Sequence, residues 1–298
     1  MTSSGPNGFD ARSWLFAPGD SARKMAKAAA GPADIVLIDL EDAVAAAEKP
    51  AARQRTADFL AAHSDSDRRR LWVRVNPLDG PYTLADLAAI VPARPGGIML
   101  PKSRGGHDVR TLDHYVSALE VASGAEPGEI GVIVLAPESA EAVFTTGTYR
   151  GAPRLTALTW GVEDLAESLG ASTNLGPDGG YGFTYELARS LCLVGAATAG
   201  VAAVDTIYGD YRDLDGVRAR AEKARREGFR GMLAIHPDQV EVINAAFAPS
   251  DQEVAAAKEI VDLFAADPEA GAIGYRGALL DRPHLARAQA LLATRRHA

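Results

Sequence analysis

Glu138 in VIVLAPES (132–139) and Asp164 in ALTWGVEDL (157–165) each stand just past a short apolar run, 26 residues apart (164 − 138). That interval is one strand-helix-strand step. In a parallel sheet the two carboxylates would leave neighbouring strands at one rim, where catalytic groups gather. Four more charged residues obey the same rule: Glu41 and Asp42 follow DIVLIDL, Arg74 lies at the end of RLWVRVN, and Lys102 follows GIMLP. Carboxylate oxygens without a His or Cys cluster suit a hard octahedral ion, because Mg²⁺ prefers oxygen ligands and keeps waters that substrate oxygens can displace. The six His are scattered, with no pair at ligand spacing on one helix face, which argues against zinc. Each residue also has a structural alternative. Glu138 could cap the next helix, Asp164 could sit in a first turn, Arg74 could pair inward with a carboxylate, and Asp39 or Asp42 could cap. His236 reads as a packed strand-end residue, and no Gly-x-Ser-x-Gly elbow is present.

The elements that must position these groups alternate regularly. Strand-like runs at 13–17, 34–40, 70–76, 97–101, 132–135, 155–160, 201–205 and 232–236 are separated by helical stretches, among them 109–123, 140–144, 163–169, a long one from Thr184, and 213–227. Eight strand-helix steps over this length predict an α/β fold of the closed (β/α)8 TIM-barrel type over residues 1–249, with an open doubly wound sheet as the competing reading. No dinucleotide glycine fingerprint follows the first strand, where the turn reads Ala-Pro-Gly-Asp-Ser. Beyond Pro249, residues 250–298 read as a helical C-terminal extension, or lid, with a Gly-rich turn at 271–277 and a last helix beginning at Asp281.

The chain has 298 residues, 47% of them apolar, enough for a large core, and carries a net charge of −8 with a pI near 5.3. That balance argues against a nucleic-acid partner. The one dense basic run, Arg68-Arg69-Arg70, reads as a solvated loop. The single Cys, Cys192, falls in an apolar helical run and reads as core, so a reducing compartment is expected. With no apolar leader in MTSSGPNGFDARS and no window long enough to span a bilayer, no membrane partner and a cytoplasmic location are expected.

RSWLFAPG (12–19), DIVLIDLEDAV (34–44), KPAAR (49–53), VRVN (73–76), LPK (100–102), the Glu-Ser of APES, GVEDL (161–165) and GFRGMLAIHPDQV (228–240) closely resemble the citrate lyase beta-subunit-like family of the HpcH/HpaI aldolase superfamily, in order and over nearly the whole chain. That family includes malyl-CoA and citramalyl-CoA lyases and thioesterases. The resemblance implies a barrel that assembles as homotrimers or hexamers. It also implies Mg²⁺ on Glu138 and Asp164, with Glu41 and Asp42 around the metal waters, and carbon–carbon bond cleavage or formation between an acyl-CoA thioester and a 2-oxo acid. Arg74 would hold the oxo-acid carboxylate and thioester oxygen, Arg23 and Lys27 the CoA phosphates, and Asp281 would be the lid acid that reaches a neighbour's site. One departure is Ala136-Pro137 before Glu138, where many members carry a β-branched or apolar residue directly before the acid. Two alternatives stand beside this reading: a class II aldolase acting on free 2-oxo acids, and a lyase-complex subunit acting on a carrier-bound thioester.

Overall fold

The computed structural model describes residues 11–177 and 179–294. The N-terminal decapeptide, part of the stretch expected to lack a leader, Asp178, and residues 295–298 of the C-terminal extension lie outside them. Eight strands run in order around a closed parallel barrel: β1 Ser13–Pro18, β2 Ile35–Asp39, β3 Leu71–Arg74, β4 Gly97–Leu100, β5 Gly131–Leu135, β6 Leu155–Thr159, β7 Ala202–Asp205 and β8 Gly231–Ala234. Each pairs with the next. β8 returns to β1 through Ser13↔Met232 and Trp14↔Leu233, so the sheet has no open edge. β2 and β4 to β8 are buried along their whole length, which is why they read as near-continuous apolar runs rather than alternating ones.

Side chains along a strand alternate in direction, and that period decides what reaches the mouth. Trp14, Leu37, Trp72, Met99, Ile133 and Leu233 pack in one buried cluster, with Phe16 against it. Two residues beyond Leu37 comes Asp39, and two beyond Trp72 comes Arg74. These two are register partners across β2 and β3. They therefore lie one layer nearer the carboxyl rim than the apolar cluster.

The Trp72 ring meets Trp14 edge to face at 5.1 Å and needs bare backbone beside it. A Cβ at Gly97 would stand 2.3 Å from the ring, and one at Gly131 would stand 3.0 Å away. Gly97→Ala is therefore expected to cost about 1–3 kcal/mol through overpacking. A urea or thermal unfolding midpoint matching the unmodified protein would show that the ring has room to move.

Two sequence expectations about the fold differ from the structure. The basic run is not a solvated loop: Arg70 is half-buried and donates to the carbonyls of Ala29, Gly31 and Ala33, while Arg68 pairs with Asp65. The Gly-rich turn at 271–277 is part of an antiparallel hairpin, β9 Ala272–Tyr275 and β10 Ala278–Asp281, joined by Arg276 and Gly277 at φ 48° and 80°. Two successive positive φ values make the tight connection that suits twisted strands. The chain divides into two compact units, residues 1–244 and 245–298.

The second unit comprises a helix Asp251–Ala266 started by a Ser250/Glu253 capping box, the hairpin, and a helix Arg282–Thr294. Among the described residues no helix is long and apolar enough to cross a membrane.

Candidate active site

Past β2 the chain folds back on the Asp39 carboxylate, which accepts the amide N–H groups of Glu41 at 2.9 Å and Ala43 at 3.1 Å. Asp39 thus caps the strand end. It also binds Arg74 with both oxygens, Nε–Oδ1 at 2.8 Å and Nη2–Oδ2 at 2.7 Å. The remaining nitrogen, Nη1, lies 2.8 Å from Glu41 and 3.4 Å from Asp42, and the guanidinium stacks 4.9 Å over Phe16. A forked pair of this kind fixes both orientation and charge. From behind, Lys49 Nζ donates to the carbonyls of Leu40 and Glu41, and Asn76 donates to Leu40. Glu41 is accordingly held in place by its backbone. Its carboxylate is buried, and both oxygens are within ion-pair reach of cations without accepting a well-aligned hydrogen bond.

Across the mouth, Glu138 follows β5 after a cis Ala136–Pro137 bond and is 2% exposed. It does not cap the next helix; Ser139 does. One Glu138 oxygen accepts the Lys102 amide N–H, while Oε2 is buried with no partner. A Cβ at Gly161 would sit 2.9 Å from Glu138 Cβ and 3.1 Å from Oε2, so a bare residue at the end of β6 leaves room for this acid. Asp164 occupies the first turn of the helix Val162–Ser168, and its Oδ1 is 2.5 Å from Lys102 Nζ. The same ammonium is 3.4 Å from Glu41.

These charges shift one another. Burial pushes Glu41 up to about 7 despite the pull of Arg74. Burial, then the charge of Asp164, raises Glu138 well above the carboxylate range. For Arg74, Lys102 and Asp39 burial opposes ionisation but is outweighed: Asp39 raises Arg74, Asp164 raises Lys102, and Arg74 lowers Asp39.

A cavity of about 490 Å³ opens over this array, with Asp39, Asp42, Arg74 and Asp164 on its polar side and Phe16, Leu135, Trp160 and Leu233 among its apolar walls. Trp160 is aimed by its indole N–H, which donates to Asp205 at 2.8 Å, and Asp205 in turn holds buried Arg189. Sequence reasoning missed this wall and its support; an arginine inside the apolar run LARSLCLVGAATAG was the available signal. It also took Asp39 only as a cap, and Lys102 only as one more strand-end charge.

The residues fit a hard cation. Every candidate donor is a carboxylate oxygen, and one of them, Glu138 Oε2, is buried with nothing to bind. Among the described residues no three His, Cys, Asp or Glu side chains lie close enough to enclose an ion. An ion held here would keep several waters, which suits Mg²⁺.

The other expected residues are placed by their own elements. Arg23 and Lys27 are exposed, one turn apart on the helix Ala22–Ala29, outside the residues that line the cavity. Asp281 ends β10 in the second unit, where its carboxylate faces His284. His236 is not packed as expected: it is half-exposed and stacks 4.7 Å from Tyr211, because the chain has already left β8 by Ile235. Cys192 is buried in the core, in line with the sequence reading.

The sequence pattern of the HpcH/HpaI aldolase/citrate lyase family matches residues 12–237. The L-malyl-CoA/beta-methylmalyl-CoA lyase of Rhodobacter capsulatus is 33% identical, covering 94% of this chain and 93% of its own. The (3S)-malyl-CoA thioesterase of Cereibacter sphaeroides is 32% identical over 95% and 93%. Among solved structures, protein CitE from Mycobacterium tuberculosis in complex with magnesium, acetoacetate and coenzyme A superposes with a TM-score of 0.79 at 31% identity, covering 99% of both chains. A barrel with this rim of acids, matched over three quarters of its length by one sequence pattern, belongs to the HpcH/HpaI aldolase/citrate lyase family.

Proposed function

We propose that the protein is a Mg²⁺-dependent carbon–carbon lyase of the Claisen type, acting on a 3-hydroxyacyl-CoA thioester such as malyl-CoA or citramalyl-CoA. The observation that carries this reading is the pair Glu138 and Asp164 at one rim, both in contact with Lys102, with Glu138 Oε2 buried and unpartnered and a cavity bordered by Asp164 and Arg74. Glu138 and Asp164 would hold the ion, and Glu41 and Asp42 would border its waters. When bound, Mg²⁺ supplies Lewis acidity that makes the substrate hydroxyl easier to ionise.

In cleavage the 3-hydroxyl proton would pass to a rim water bordered by Glu41 and Asp42 as the bond between the α and β carbons breaks. The electron pair moves onto the thioester as an enolate, and the β carbon leaves as the carbonyl of a 2-oxo acid. Arg74 has Nε and Nη2 committed to Asp39, so its Nη1 edge, which borders Glu41 at 2.8 Å and Asp42 at 3.4 Å, is the part that would be shared with charge developing on the thioester oxygen. The apolar walls exclude water from the enolate. A carboxylic acid then gives a proton to the α carbon, completing the acyl-CoA product, and the same group as carboxylate takes that proton in the reverse, condensing direction. Asp281 is the candidate, delivered by another copy in a homotrimer or hexamer. Arg23 and Lys27, exposed one turn apart on the first helix after β1, are the candidates for the CoA phosphates. A single buried cysteine supports a reducing, cytoplasmic setting.

The thioesterase relative favours a second outcome at the same site, in which the acid directs water onto the thioester. A screen of acetyl-CoA and propionyl-CoA with glyoxylate and pyruvate, following bond formation and free thiol separately, distinguishes the two. Condensation that requires both CoA ester and Mg²⁺, and that collapses in Asp281→Asn, is the expected result. Thiol release without any condensation would make the protein a thioesterase, and condensation of free acids without CoA would contradict the substrate class.

A further inference from the structure

The rim contains a cation of its own. Lys102 has a φ of 51°, a left-handed conformation that side chains disfavour and that only surrounding contacts sustain. The contacts are with acids. In this conformation its amide N–H reaches Glu138, while its Nζ stands 2.5 Å from Asp164 Oδ1 and 3.4 Å from Glu41 Oε1. One residue therefore serves all three buried or half-buried carboxylates with a peptide dipole and a point charge.

The two rim cations are built differently. Arg74 is 11% exposed and clamped by both Asp39 oxygens, so it cannot leave without stranding a buried acid. The Lys102 side chain is 41% exposed, has a flexible four-carbon stem, and holds Asp164 through one contact. Its ammonium can swing into solvent while its amide stays on Glu138.

We infer that Lys102 is a releasable internal counter-ion: its ammonium and the divalent cation compete for the Asp164 oxygens. Lys102 neutralises the acids when no ion is bound and is displaced when one binds. Rotation of Lys102 out of the cluster thus accompanies each loading of the site. This inference rests on the assignment of Glu138 and Asp164 as the ion's ligands.

Two readouts test it. The first is Mn²⁺ affinity, from the free-ion paramagnetic resonance signal. Lys102→Met is expected to bind Mn²⁺ at least about tenfold more tightly than the unmodified protein, because a competing charge within contact distance has gone. Lys102→Gly, which keeps the amide and accepts a positive φ without strain, should do the same if the Met variant fails to fold. The second is amine-reactive labelling of Lys102, quantified by mass spectrometry against exposed Lys24 and Lys258. Saturating Mg²⁺ should speed Lys102 labelling several-fold.

Equal or weaker Mn²⁺ affinity in both variants, or labelling that Mg²⁺ leaves unchanged or slows, would show that the ammonium stays in place and would overturn the inference. Mn²⁺ binding that survives Glu138→Ala would instead reject the ligand assignment, and the competition with it.

Discussion

Glu138→Ala and Asp164→Ala are each expected to lower turnover by at least about a thousandfold and to abolish Mg²⁺ binding. A cation at the reacting oxygens contributes several kcal/mol of charge stabilisation, and each 1.4 kcal/mol is about tenfold in rate. The structural consequences of the two substitutions differ. Asp164 has a side chain 28% exposed on a first helical turn, so its replacement should leave the folded barrel intact. Glu138 is buried and its ionisation is strongly disfavoured, so its loss removes a costly group together with the acceptor of the Lys102 amide. Calorimetric titration with Mg²⁺ beside steady-state kinetics separates a missing ligand from a misfolded protein. More than a tenth of the unmodified activity in either variant would exclude that residue as a ligand.

Arg74→Lys is expected to lower kcat/KM by about 10²–10³-fold, the usual cost of losing a donor aimed at developing oxyanion charge. Charge is conserved in this substitution, but the planar fork is not. A lysine ammonium can meet Asp39 or the substrate, whereas Arg74 meets Asp39 with Nε and Nη2 and still presents Nη1 near Glu41 and Asp42. Asp39 would keep its two backbone donors while losing the forked partner that lowers its pKa. A loss confined to stability, seen as a lower unfolding midpoint with unchanged kinetics, would make Arg74 a structural residue.

Much of the barrel could be read from the chain because its physics is local. A run such as Val132–Leu135, bounded by Gly131 and Pro137, is a strand hidden on both faces, and eight such runs with helical spacers have few ways to close. The rim position of Glu41, Arg74, Lys102, Glu138 and Asp164 followed from counting to each strand end. What escaped the reading depends on contacts between distant segments. Nothing near Arg70 in the sequence shows that three carbonyls at 29–33 meet it. Lys102 reaches Asp164 across 62 residues, by a backbone angle that no propensity assigns to lysine. The Arg189–Asp205–Trp160 chain joins a helix to two strands and was hidden by its apolar neighbours. The hairpin at 272–281 was passed over because a Gly-rich stretch reads as turn before its flanking four-residue strands are noticed.

The proposed lyase chemistry depends on a divalent ion held by Glu138, just past β5, and Asp164, on the helix after β6. A crystal structure with Mg²⁺ and glyoxylate bound tests it most directly. The expected result is an ion on oxygens of Glu138 and Asp164, with the oxo acid completing its shell and Arg74 facing the site where the thioester enters. An ion bound elsewhere, or Glu138 and Asp164 turned away from it, would contradict it.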